Sequence, residues 1–429
     1  MTSTTVSPVF KIIPTTQKYD WGKIGLSSKV AQFAAAAKVP DFALDENAPY
    51  AELWMGTHHS SPSRLASDSK TTLAQHLADH PELIGEKVRE RFADAGAKEG
   101  NLPFLFKVLA IEKALSIQTH PDKKMAEKLH AERPDVYKDA NHKPEMALAL
   151  TPFTAMCGFL PLPKIAAYLK STPEFAALIP KTILDNFLQI SSSSDPTGPA
   201  EKAGLKNLFS AVMTAEPTLF QPQLEALVRR YEANGETEAE KDIKDLVLRL
   251  NSQFPGDIGA FCAFVLNYVK MNPGEAIFLA AGEPHAYVSG DIVECMATSD
   301  NVIRAGLTPK LRDIPNLVSG LTYQAAEVSR HLVKPAPRWT HSKLYDPPIP
   351  EFSVIGVQLS QGETETHEPI GGPSLAIVTE GSGRISWSDG RSLELGTGEV
   401  VFIGADSSVR FEAPGSEGFT LFRAYVEAS

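Results

Sequence analysis

The sequence predicts a mainly β protein that carries an α-helical insertion, and three observations predict it. Short apolar runs separated by Gly, Pro, Asp and Ser fill both ends of the chain. A long block between them has helical spacing and no clear strand alternation. One turn-plus-strand phrase occurs twice, as PGEAIFLAA (273–281) and TGEVVFIGA (397–405), with Gly-Glu, Phe and Ala in register at an offset of 124 residues.

The elements follow in chain order. Residues 1–158 mix β-rich runs (104–109, 114–119 and 146–150) with one helical stretch over 71–95, where Leu73, Leu77, Ile84 and Val88 fall near one face. Residues 159–270 form the helical insertion, with helical spacing over 162–169, 173–190, 205–214, 221–233, 237–250 and 258–270 and a polar loop at 191–202. Strand texture returns at Gly274, so 271–334 completes the first β unit. The Pro-rich stretch 335–352 leads into a second β unit, and 335–429 is the C-terminal domain.

The repeated phrase reads as a turn entering a barrel strand. With the preceding strand–Gly turn–strand LAIVTEGSGRISW (375–387) it resembles the two short motifs of the cupin barrel. Two related barrel or jelly-roll units make a bicupin. At the repeat offset, His285 of the first copy corresponds to Val409 of the second, which directs the chemistry to the first unit and leaves the second a packing role.

Composition narrows the function. The 429 residues are 43% hydrophobic and 22% charged, a globular balance that at this length implies more than one domain. The net charge of −11 disfavours nucleic acid and anionic membranes as partners, since both select basic faces. No apolar run has the length of a signal peptide or a membrane span. Cys157, Cys262 and Cys295 are too few and too scattered for a disulfide framework or a thiolate zinc site, and are expected as small buried hydrophobes in a cytoplasmic protein.

Four residues suggest a single metal site. In SIQTH (116–120), Gln118 and His120 stand two apart and would share one face of a strand. Glu145 closes the polar run NHKPE just before the apolar MALAL, and His285 follows a Glu-Pro turn at the start of another strand. Two imidazoles, a carboxylate and an amide suit zinc, manganese or iron. The expectation is one divalent ion, serving a small anionic substrate.

Longer motifs then carry a resemblance. KYDWG (18–22), YAELWMGTHHSSPS (50–63), LPFLFKVL (102–109), LSIQTHPDK (115–123), YKDANHKPEMALALTPF (137–153), AGEPHAY (281–287) and SDNVIRAGLTPK (299–310) together resemble type I mannose-6-phosphate isomerase of the eukaryotic, fungal kind. The resemblance implies a zinc enzyme that interconverts mannose 6-phosphate and fructose 6-phosphate through a cis-enediolate, supplying mannose 6-phosphate for GDP-mannose synthesis. It implies one Zn2+ on Gln118, His120, Glu145 and His285, and an essential Arg304.

An aldose–ketose isomerase must open the sugar ring, move a proton between C1 and C2, stabilise an enediolate and hold phosphate. Candidates for the catalytic groups are Arg304, Lys143, His142, Asp300 and Glu294, with His142 assisting ring opening. Candidates for substrate contacts are Ser116, Lys107, Lys310, Trp21, Glu52 and Tyr287. Bland roles compete: Lys107 as a structural ion pair, Trp21 as core, and Glu294 as a salt-bridge partner of Arg304. His58 and His59 are set aside as a second metal site, because neighbours on a strand face opposite ways. His331, His341 and His367 are expected on surface or linker segments. The chain is expected to act as a monomer on a hexose 6-phosphate. Two alternatives are a non-catalytic sugar-phosphate-binding bicupin, which should have lost ligands or Arg304, and a cupin metal oxygenase, for which a Gln ligand and phosphate-directed cations are a poor fit.

Overall fold

The computed structural model describes residues 6–388 and 390–428. Two 11-stranded antiparallel sheets dominate it, with a helical domain set between strands of the first. Each sheet runs from one edge strand to another, so the two β units are folded-over jelly rolls and not closed hydrogen-bonded cylinders.

The repeat is structural. Its strands are Ala276–Leu279 and Val400–Ile403, the same four positions of each copy, and the strands that follow begin at His285 and Val409. The register extends to their partners: Gln118 lies opposite His285, and His367 lies opposite Val409. His367 therefore stands in the second unit where Gln118 stands in the first.

Strand alternation gives the first sheet two different faces. Phe104, Phe106, Val108, Met146, Leu148, Val293 and Cys295 point one way, into a core shared with Phe352, Val354, Leu375, Val400 and Phe402 of the C-terminal unit. The opposite face carries Trp54, Lys107, Glu145 and Glu294. One consequence of the shared core was not visible in the sequence. The first strand, Val9–Ile13, pairs with Val400–Ile403 of the second sheet, whereas Thr15–Gln17 pairs with Glu52–Met55 of the first.

Several expected elements shift for local reasons. The helical stretch over 71–95 is broken into helices Leu73–Asp79 and Glu86–Arg91 with single turns beside them; Pro81 and Gly85, at a φ of +84°, interrupt it. The expected helix over 173–190 is split at Pro180 into Pro173–Ala176 and Lys181–Ile190. The polar loop at 191–202 ends early, because Pro199 starts the helix Pro199–Met213. The expected helix over 258–270 is a 3-10 segment, Ile258–Phe264, followed by the strand Leu266–Met271. Helices Lys29–Ala36 and Lys123–Glu132 are additional; Ser28 and Asp122 cap them by accepting from backbone N–H groups of the first turn.

The helical domain packs its apolar faces against Phe159, Ala286, Val288, Ile303 and Leu307 of the first unit. Its centre is tied by Arg230, which donates to both oxygens of Glu174 and both of Glu240. The three cysteines are free and buried. No helix among the described residues is long and apolar enough to cross a membrane.

Candidate metal centre

The strand Ile117–Thr119 delivers Gln118 and ends at His120, where Pro121 and the cap Asp122 turn the chain into a helix. Gln118 pairs with His285 on one side and with Arg304 on the other, so all three side chains leave the same face. Glu145 opens the next strand of the site, Glu145–Ala149.

His120 Nε2 lies 3.3 Å from Glu145 Oε1, and His285 Nε2 lies 3.4 Å from Glu145 Oε2. Each ring is oriented from behind. His120 Nδ1 donates to the Asn301 carbonyl at 2.6 Å, and His285 Nδ1 donates to the Glu283 carbonyl at 3.0 Å. With the proton on Nδ1, both Nε2 lone pairs face the carboxylate, and neither has a hydrogen-bond partner. Two buried lone pairs turned on a carboxylate need a cation between them. The ligand atoms of His120, Glu145 and His285 all lie within 4.8 Å of one another. Nitrogen and oxygen donors at this spacing, with ring orientation fixed from behind, fit zinc, and Gln118 on the same face offers an amide oxygen as a fourth donor.

Electrostatics favour the deprotonated set. Burial pushes His120 down to about 4. Burial would raise Glu145, but Lys143, whose Nζ is 2.9 Å from Oε1, and His120 hold it well below the usual carboxylate range.

A second layer of charge stands beside the metal ligands. Lys107 is buried and bridges Glu52, at 3.4 Å, and Glu294, at 3.3 Å, with its ammonium 4.7 Å over the Trp54 ring. Glu52 also accepts from Trp54 Nε1. Burial would lower Lys107, yet Glu52 and Glu294 raise it, so it is charged. Burial lifts Glu294 to about 7, with Glu145 adding to the rise and Lys107 opposing it. Tyr287 donates to Glu145 Oε2 at 3.4 Å.

The bland alternative for Glu294 fails: its partner is Lys107, and Arg304 has no carboxylate within ion-pair distance among the described residues. Burial alone pulls Arg304 below its ordinary value, leaving a half-desolvated cation without a protein anion. The segment after it is held by the helical domain, because Asp257 accepts from the backbone N–H groups of Leu307 and Thr308. Lys310 lies exposed at the end of that segment, and Ser116 is partly buried just before the ligand strand. Trp21 is neither core nor free: it packs against one apolar cluster and stacks on Tyr19 at 5.8 Å.

The loop 139–145 and the loop 298–301 are stitched together. Asp139 accepts from Ser299 Oγ and the Asp300 N–H, and Asn301 Nδ2 donates to the carbonyls of Asp139 and Asn141. Sequence reasoning missed Asp139 and Asn301, since neither is a chemical group the reaction needs. Asp300 lies 3.3 Å from His58 Nε2, and that neighbour holds its carboxyl below the ordinary range. His142 donates from Nε2 to Glu351 Oε1 at 2.5 Å.

Two expectations about histidines are corrected. The strand Glu52–Met55 ends before His58 and His59, whose rings stack at 4.6 Å instead of facing apart, and with Asp300 they form a compact polar cluster. His331 and His367 are buried, not on surface segments; His367 sits inside the second unit between Glu365 and Arg423, under Trp339.

Comparison with known proteins gives a consistent picture. Residues 9–162 match the catalytic domain of phosphomannose isomerase type I, 178–266 its helical insertion domain, and 342–390 its C-terminal domain. The chain is 50% identical over 438 residues to mannose-6-phosphate isomerase of Cryptococcus neoformans, covering 98% of this chain and 99% of that protein. It is 44% identical to mannose-6-phosphate isomerase of Saccharomyces cerevisiae, again over 98% and 99%. Among solved structures, a zinc-bound mannose 6-phosphate isomerase superposes with a TM-score of 0.80 at 31% identity, over 98% of this chain and all of the other. A point mutant of phosphomannose isomerase from Salmonella typhimurium superposes with a TM-score of 0.81 at 31% identity.

Proposed function

The chain belongs to the type I phosphomannose isomerases, and from that membership and the site geometry we infer how its residues divide the work of a zinc-dependent interconversion of mannose 6-phosphate and fructose 6-phosphate. The observation that carries this reading is the pair of orphaned imidazole nitrogens, His120 Nε2 and His285 Nε2, turned on the Glu145 carboxylate. His120, Glu145, His285 and Gln118 would hold the zinc, which when bound would supply Lewis-acid stabilisation of negative charge developing on the substrate.

The remaining steps fall to side chains. Arg304, a cation without a protein anion, binds the negative charge of the substrate, and the phosphate is assigned to Lys310, at the end of the same segment, and to Ser116, just before the ligand strand. In ring opening, His142 takes the proton of the C1 hydroxyl as the C1–O5 bond breaks, and returns it to O5. Asp300, ionised beside His58, accepts from sugar hydroxyls at the same stitched loop. Glu294 moves the proton between C2 and C1; a carboxyl near 7 is matched to both giving and taking a proton at neutral pH. Lys107 and Lys143 hold the positive charge that keeps Glu52, Glu294 and Glu145 compatible in one buried space. Tyr287 orients Glu145, and Trp21 with Tyr19 offers the sugar an apolar edge.

Neither alternative is favoured. Gln118, His285 and Arg304 share one face, and His120, Glu145 and His285 bring donor atoms within 4.8 Å of one another, an assembly a non-catalytic bicupin would have no reason to keep. The cupin oxygenase reading fares no better against the family membership and the unpaired Arg304. We also propose a cytoplasmic monomer feeding GDP-mannose synthesis; three buried, free cysteines suit a reducing compartment. The test of the central reading is isomerase activity and zinc content measured together through chelation and zinc return. Loss and recovery in parallel support it, and full turnover of metal-free protein would sink it.

A further inference from the structure

The second β unit keeps no metal ligand at the position of His285, yet it sends one carboxylate to the edge of the reaction site. Inside that unit, Asp-Pro-Pro-Ile-Pro-Glu351 links the strand Ser342–Tyr345 to Phe352 and its neighbouring strand Ser353–Leu359. Pro347, Pro348 and Pro350 fix φ along this connection and leave it little freedom. Phe352 is fully buried in the core shared by both units. The neighbouring Glu351 points out of that core toward the loop 139–145 of the first unit, where its Oε1 accepts from His142 Nε2 at 2.5 Å.

The contact decides which nitrogen of His142 carries the proton. A carboxylate can only accept from the ring, so Nε2 is protonated and Nδ1 keeps the lone pair. Nδ1 has no protein partner among the described residues. A ring nitrogen with a free lone pair, backed by a carboxylate on the other nitrogen, is the arrangement of a histidine base with its orienting acid. Glu351 is nine-tenths buried and its second oxygen has no partner, so the pair is only partly screened by water. The loop that carries His142 also carries Lys143 and Glu145, and it is stitched to the loop of Asp300, so the ring is held at the site and not on a free tether.

We propose that Glu351, contributed by the C-terminal unit, is a positioning residue that fixes the tautomer and direction of His142 for sugar-ring opening. This rests on the assignment of His142 made above. It gives the C-terminal unit a part in the reaction as well as in packing.

The test is steady-state kinetics of zinc-loaded full-length Glu351→Gln, Glu351→Asp, His142→Asn and the Glu351→Gln/His142→Asn double variant, with melting temperature and zinc content measured on each. Glu351→Gln should lower kcat about tenfold with KM moving less than about twofold, in the range seen for groups that orient a functional histidine. Glu351→Asp should recover most of the loss, and in the double variant Glu351→Gln should cost nothing beyond His142→Asn. Wild-type kcat in Glu351→Gln overturns the proposal, and so does a loss that multiplies in full with that of His142→Asn. A loss that tracks falling zinc content or melting temperature, with no recovery in Glu351→Asp, makes the contact a structural staple and also overturns it. Full turnover of His142→Asn would sink the assignment of His142 itself, a failure distinct from that of Glu351.

Discussion

Gln118 faces His285 directly across two antiparallel strands. The relative placement of these two proposed ligands is therefore set by sheet register, and a change at either residue acts on a framework that stays in place. His285→Ala should leave the fold intact by circular dichroism while zinc per chain drops from about one to below about one-tenth and isomerase activity is lost with it. Retention of stoichiometric zinc would remove His285 from the ligand set.

Arg304 has no anionic partner within the protein, so its removal should cost the substrate and not the fold. Arg304→Ala should lower kcat/KM by about 10²–10³, the scale of losing one charge-stabilising group, with an unchanged melting temperature. Arg304→Lys should restore only part of it, because an ammonium lacks the planar fork that binds phosphate oxygens in pairs. Near-normal kinetics in Arg304→Ala would exclude it from substrate binding.

Lys107 opposes the burial that lifts Glu294 to about 7. If ionised Glu294 is the base, activity falls as pH drops through its pKa, and removing the nearby cation raises that pKa. The acid limb of the kcat/KM profile should thus move to higher pH in Lys107→Met. The limb should vanish in Glu294→Gln, leaving a small residual rate. A limb unmoved in Lys107→Met would show that another group titrates there.

In the helical domain, Glu240 is depressed from 4.5 to about 2: burial opposes this, but Arg230, the Thr237 N–H and Thr172 outweigh it. A depressed carboxyl stabilises the fold fully above its unfolded value and loses that contribution as pH falls toward the folded one. Urea denaturation between pH 5 and about 2, a window set by this shift, should show a loss of stability that is reduced in Glu240→Gln. Identical pH dependence in both proteins would assign the acid sensitivity elsewhere.

Phe352 fills the core that both β units share. Phe352→Ala should cost about 3–5 kcal/mol and lower the melting temperature of the β units together, in one transition. Two separated β transitions in the wild type would show that the shared core does not couple them.

The candidate metal ligands were legible in the sequence because Glu145 and His285 each open a strand directly after a Pro, and because the strand period of two aligns Gln118 with His120. The C-terminal unit was legible through the repeated PGEAIFLAA and TGEVVFIGA phrase, whereas the role of Arg304 came through resemblance. Helix ends were less legible, since Pro81, Pro180 and Gly85 divide stretches whose apolar spacing is otherwise continuous. Cross-chain relations were not legible at all. Glu351 reads as one more acid in a Pro-rich linker, Asp139 as a loop residue, and His367 as a surface histidine, until distant strands are brought together.

The strand Val9–Ile13 pairs on one side with Val400–Ile403, far along the sequence, and on the other with the nearby Arg64–Leu65. During synthesis one edge of Val9–Ile13 stays unpaired until residues 400–403 are made, a setting in which strands seek other partners. Closing it is a contact of very high sequence separation and so a slow one. A nascent chain truncated before residue 400 would keep Arg64–Leu65 beside that strand but lack its partner on the other edge. Val400–Ile403 thus covers an edge that Val9–Ile13 otherwise leaves open, and chains terminated ahead of it should aggregate instead of giving a smaller working isomerase.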